Sequence, residues 1–83
     1  MYAVLIIPRA WRDLDALPAE RFPPVHRAIL GLEQEPRGRQ TVKLTKDEGY
    51  RLRIGDYRVL YRIDDAGKRV YVYRVKHRRE AYR

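Results

Sequence analysis

The feature that most restricts this chain is a change of period between its two halves. Tyr50-Arg51-Leu52-Arg53-Ile54 alternates strictly, and Gly55-Asp56 turns it into Tyr57-Arg58-Val59-Leu60-Tyr61-Arg62-Ile63. Such alternation marks a strand buried on one face, and a two-residue connection suffices only for an antiparallel hairpin. Asp64-Asp65-Ala66-Gly67 makes a second turn into Val70 through Lys76. Connections this short force an antiparallel meander. Before residue 37 the pattern is helical. Ala10, Trp11, Leu14 and Leu17 recur at three- and four-residue spacing, with Arg12, Asp13 and Asp15 on the other side, until Leu17-Pro18 ends the run. Phe22-Pro23-Pro24 reads as a second interruption. Beyond it Val25, Ala28, Ile29 and Leu32 form another apolar stripe, stopped by Pro36. Gly31 within that stripe is expected to permit a close approach of a neighbouring element.

Two further segments complete the plan. Tyr2 to Ile7 is a β-branched apolar run closed by Pro8, expected to be a strand buried on both faces. It lacks the basic leader and small-residue cleavage site of a signal peptide. Residues 41–44 are expected to form a short strand. Eighty-three residues allow one domain, 1–83, burying about 60–65% of the surface its unfolded chain exposes. No repeat or linker divides it. The expected fold is α+β: an N-terminal strand and two helices packed on one face of a small antiparallel sheet.

Composition narrows the chemistry. Cysteine is absent, which excludes disulfides and thiolate catalysis, and two histidines, His26 and His77, are too few for a protein-built zinc site. His26 lies on the polar side of a helix and is given no role. No apolar run approaches the roughly 18 residues of a membrane span, so no membrane partner is expected and the cytoplasm is the expected compartment. The net charge of +8 is unevenly placed: residues 1–36 sum to −1 and residues 37–83 to +9. Fifteen of the 19 basic residues are arginine, whose planar fork binds phosphate bidentately and stacks on bases. Six of the seven tyrosines share that half, and basic residues interleaved with aromatics point to a nucleic-acid surface. Alternation sends Tyr50, Leu52, Ile54, Tyr57, Val59, Tyr61 and Ile63 to the core. Arg51, Arg53, Arg58 and Arg62 share the opposite face, where they repel one another unless an anion is present. The competing readings are a solvated basic face and a set of charges that blocks strand-to-strand aggregation.

The order strand, two helices, meander and basic tail resembles the RelE/ParE superfamily of bacterial toxins over nearly the whole chain. Its most specific parts are Tyr50-Arg51-Leu52-Arg53-Ile54-Gly55-Asp56-Tyr57-Arg58-Val59-Leu60-Tyr61 and Val75-Lys76-His77-Arg78-Arg79-Glu80-Ala81-Tyr82-Arg83. RelE-type members cleave mRNA in the ribosomal decoding site without metal, so the resemblance implies a ribosome-dependent endoribonuclease with no cofactor. In that reaction the ribose 2′-hydroxyl attacks the adjacent phosphate and the 5′-oxygen leaves. The family's two strand bases map onto Arg51 and Arg53, its meander arginine onto Arg58, and its tail arginine and tyrosine onto Arg78 and Tyr82. The three strand arginines would hold the phosphate, with Arg78 on the leaving-group side and Tyr82 as base or stacking partner.

One departure from the family bears on mechanism. Well-studied RelE toxins carry lysines where this chain has Arg51 and Arg53, and arginine is effectively never deprotonated. Proton transfer then falls to Tyr82 or His77. Glu80 is better suited to pairing with neighbouring arginines. Lys43, Lys46, Arg62, Arg79 and Arg83 are the expected further RNA contacts. The implied partners are a ribosome with mRNA in its A site and an acidic RelB-like antitoxin, through which the complex can sit on operator DNA. The alternatives are a ParE-like inhibitor of DNA gyrase and a non-catalytic RNA-binding domain.

Overall fold

The chain opens with β1 (Ala3–Ile6), α1 (Pro8–Asp15) and α2 (Phe22–Leu30), which runs into a 3₁₀ turn at Gly31–Glu33. It continues through β2 (Thr41–Lys43), β3 (Tyr50–Ile54), β4 (Tyr57–Asp64) and β5 (Arg69–His77), and ends in α3 (Arg78–Ala81). The computed structural model describes residues 1–45 and 48–81, the side chains of Glu80 and Ala81 excepted. Lys46, Tyr82 and Arg83 of the expected site therefore lie outside the described residues.

The strands form one sheet in the order β1-β5-β4-β3-β2. The β2–β3, β3–β4 and β4–β5 pairs are antiparallel, as their short connections require. β1 adds a parallel strand beside β5, so the sheet is mixed. Parallel neighbours need a long crossover, and here α1 and α2 supply it. Being an edge strand, β1 is not buried on both faces. Val4 and Ile6 turn toward the core, whereas Leu5 remains 43% exposed.

Both helices begin with proline in the first turn, where its missing N–H costs nothing and its fixed φ suits the helix. Phe22-Pro23-Pro24 is thus the start of α2 rather than a break. Ala10 and Leu14 bury the inner face of α1, while Trp11, expected in that stripe, is 40% exposed and lies 5.9 Å from the His26 ring. Gly31 ends α2 with open space where a β-carbon would point, so no element approaches closely there. The helices cover one sheet face only. Leu14, Val25, Ile29 and Leu32 pack over Leu52, Val59, Tyr61, Val70, Val72 and Val75. The Tyr61 hydroxyl donates to the Pro36 carbonyl, and burial pushes its pKa up to about 12. Among the described residues, no helix is long and apolar enough to cross a membrane.

One irregularity shapes the sheet. Leu60 opposes Arg74 but Tyr61 opposes Val72, which leaves Tyr73 as an extra residue in β5. This bulge lets Val72 and Val75 both face the helices although they are three residues apart. Beside it β1 has run out, its last pairing being Ile6 with Val72. Asp13 of α1 takes over the edge, its carboxylate accepting from Val75 N–H at 2.9 Å and from Arg74 Nε at 2.8 Å.

Candidate functional site

The face away from the helices is built by register. Arg53, Arg58 and Lys76 stand directly opposite one another on β3, β4 and β5. Paired residues of antiparallel strands have Cα atoms about 4.5–5.5 Å apart, so three cations share one short row. Like charges in opposed positions are destabilising. Arg51 lies in the next row, across from Leu60, and Arg62 lies one step further along β4. The four arginines expected on one face are therefore together on it.

Arg58 is the centre of the row and only 4% exposed. Its Nη1 reaches the Gly55 and Tyr57 carbonyls at 3.4 and 3.3 Å, which are long contacts to neutral acceptors. Among the described residues, no carboxylate lies within 4 Å of the Arg53, Arg58 or Lys76 cation, whereas Arg9, Arg37, Arg69, Arg74 and Arg78 each have one. A buried cation that lacks a counter-ion is costly, and an anion bound on this row would offset that cost.

The row sits one residue inside the Gly55-Asp56 turn, where Gly55 has a φ of +55° that a side chain would strain. That turn holds the tail. The Arg78 N–H donates to the Asp56 carbonyl at 2.7 Å, and Arg78 Nη1 is 3.8 Å from the Asp56 carboxylate. The Arg78 backbone is thereby tied to the turn that lies next to the row, while its side chain stays exposed. Arg79 is exposed, its backbone N–H reaching His77 Nδ1 at 3.3 Å. Arg62 stacks on the Tyr73 ring at 4.4 Å, and the Tyr73 hydroxyl donates to the Glu48 carbonyl. Burial first, with Glu48 adding, outweighs Arg62 and raises the Tyr73 pKa.

Two expected site residues stand apart from the row. His77 pairs in register with Tyr57 on the helix-covered side, their rings edge to face at 5.3 Å. It lines a cavity of about 260 Å³ with Asp13, Leu17 and Val75. Lys43 opposes Tyr50, also on the covered side. Lys76 was missed by the strand pattern. Its sign was the spacing Val70, Val72, Val75, whose extra residue reveals the bulge and so the outward direction of position 76. A second charged cluster closes the other end of the sheet. Arg37 donates to Asp65 at 2.7 and 3.1 Å and to Tyr50 at 3.0 Å, and Tyr2 donates to Asp65 at 2.7 Å. Arg37, then Tyr2, lowers the Asp65 pKa to about 2.

A family model described as the ParE toxin of type II toxin–antitoxin systems matches residues 4–82. The chain is a toxin of the RelE/ParE superfamily. The toxin is 37% identical to Toxin RelG of Mycobacterium tuberculosis over 99% of its own length and 97% of that protein. It superposes on the toxin–antitoxin complex RelBE2 of the same organism with a TM-score of 0.82 at 37% identity, covering 92% of this chain and 96% of that one. The archaeal RelE–RelB complex of Pyrococcus horikoshii gives a TM-score of 0.80 at 31% identity over 93% and 94% of the two chains. The isolated E. coli RelE toxin shares the fold, with a TM-score of 0.78 at 20% identity over 99% and 96%.

Proposed function

We propose that this toxin is a metal-independent endoribonuclease that cuts mRNA on the ribosome and thereby stops translation in the cytoplasm. The observation that carries this reading is the Arg53–Arg58–Lys76 row, with its buried central arginine and no carboxylate partner among the described residues. Such a row fits a phosphodiester, and its charge suits the dianionic phosphorane formed when the 2′-hydroxyl attacks. Arg53 and Arg58 hold the non-bridging oxygens, Arg51 and Arg62 extend the track along the sheet, and Arg78 reaches the leaving-group side. Tyr82 supplies a stacking surface or a proton. In this reading His77 supports Tyr57 from the covered side and does not meet the substrate.

The same residues support a dependence on the ribosome. The row is rich in charge and poor in groups that exchange protons, so cleavage gains most from a host that aligns the 2′-hydroxyl with the leaving oxygen. The ribosomal A site supplies that alignment. An acidic antitoxin is the proposed partner, supported by the RelE–RelB pairs among its structural relatives and by the +9 charge of residues 37–83. Through it the pair can rest on operator DNA.

The test is cleavage of mRNA on ribosomes with an empty A site, beside the same RNA free in solution. We expect efficient cutting on the ribosome, little on free RNA, and 2′,3′-cyclic phosphate ends. Rapid cutting of naked RNA contradicts the reading. The description of the matching family model supports a second one, inhibition of DNA gyrase without RNA cleavage. Loss of gyrase supercoiling together with intact ribosome-bound mRNA would establish that alternative.

A further inference from the structure

The proposed reaction needs a proton acceptor, and the described residues around the row narrow the choice. Arg51, Arg53, Arg58, Arg62 and Arg78 cannot be deprotonated in a protein. His77 turns to the covered side of the sheet, against Tyr57. The Asp56 carboxylate is 3.8 Å from Arg78 and sits in the turn, beyond the row. Lys76 is different. It stands directly across from Arg58, in the same row as Arg53, two residues before Arg78. The β5 bulge at Tyr73 sets this direction, because without the extra residue position 76 would face the helices alongside Val70 and Val72. It is half-buried, and among the described residues no carboxylate lies within 4 Å to hold its amine as a fixed ion pair.

We infer that Lys76 is the general base of this site, an assignment that rests on the ribonuclease reading above. Its Nζ, as the free amine, takes the proton of the ribose 2′-hydroxyl. The O2′ electron pair forms a bond to phosphorus, the P–O5′ bond breaks with its electrons on O5′, and O5′ takes a proton from water. The Lys76 ammonium then returns its proton to solvent. Arg53 and Arg58 remain charged throughout and neutralise the phosphoryl oxygens. The division of labour is that two guanidiniums hold charge in place while the one amine in the row moves a proton.

Lys76→Arg separates charge from proton transfer, since it keeps a cation on the row and removes the exchangeable amine. Its cleavage of ribosome-bound mRNA should fall by about 10²–10⁴-fold, the usual loss for a general base, while affinity for the programmed ribosome stays within a few-fold. The absence of cysteine from the chain allows a second arm. Lys76→Cys should be inactive, and alkylation with bromoethylamine, which rebuilds an amine at nearly the same reach, should restore cleavage. Circular dichroism verifies that both variants fold. A Lys76→Arg protein that cuts within a few-fold of wild type overturns the assignment, as does an alkylated Lys76→Cys protein that stays inactive. If wild-type toxin leaves ribosome-bound mRNA intact, the ribonuclease reading itself fails, and this assignment with it.

Discussion

The two faces of the sheet obey opposite rules. On the covered face Leu52, Val59, Tyr61, Val70, Val72 and Val75 lie at 7% exposure or less beneath two amphipathic helices, and the buried Tyr61 hydroxyl has its acceptor. There every local preference agrees with the fold. On the open face a cation is buried at Arg58, and two more stand opposite it. That arrangement works against folding, because it concentrates charge where pairing brings side chains closest. Departures of this kind from local consistency gather at functional sites. The same strands thus give their inward residues to the core and gather their outward ones into a row of positive charge.

If that division holds, variants on the two faces should fail in different assays. The largest effect on folding belongs to the covered face. Leu14 is fully buried in α1, and Leu14→Ala should cost about 2–5 kcal/mol in urea unfolding. Cleavage per folded molecule should be unchanged. A smaller loss belongs to the seam between α1 and the β5 bulge. Asp13→Ala leaves Val75 N–H and Arg74 without their acceptor and should cost about 1–3 kcal/mol. It sharpens the comparison further, since the bulge that Asp13 steadies also aims Lys76. Activity should therefore fall along with stability in this variant, unlike in Leu14→Ala.

The smallest effect is electrostatic. The Asp65 pKa is lowered from 3.8 to about 2 by Arg37 and then Tyr2. A depressed carboxylate stabilises the fold above its unfolded pKa, and that contribution disappears as pH falls through the folded value. The Arg37–Asp65 clasp should thus lose its stabilising effect between about pH 4 and pH 2. Being exposed, it should also weaken in high salt. Acid unfolding of Asp65→Asn beside wild type measures this, and identical profiles in both proteins would show the clasp to be energetically silent.

Much of this division was legible in the sequence. Alternation from Tyr50 to Ile63 placed Arg51, Arg53, Arg58 and Arg62 on one face, because side-chain direction in a strand follows from parity alone. Parity fails at a bulge, and that is why the strand pattern alone does not turn Lys76 outward. Reading Val70, Val72 and Val75 as one inward set places position 76 on the open face and position 77 on the covered one. β1 departs from its expected burial for another reason. An apolar run records how many side chains want cover, whereas its edge position depends on how far the two-helix crossover carries the chain. Phe22-Pro23-Pro24 was ambiguous because proline is equally at home in a loop and in a helix's first turn. The Asp13 bridge left no local sign, since its partners are more than 60 residues away.

The central claim is that the open face performs chemistry and contributes nothing to folding. Arg53→Ala tests it most directly, because Arg53 is exposed yet belongs to the charged row. The measurement is paired: urea unfolding and cleavage of ribosome-bound mRNA in the same preparation. Losing a well-placed transition-state donor should cost about 2–4 kcal/mol, or roughly 30- to 1,000-fold in rate. Stability should stay within about 0.5 kcal/mol of wild type or rise as repulsion is relieved. A variant that cuts at the wild-type rate, or whose lost cutting is matched by lost stability, would contradict the account.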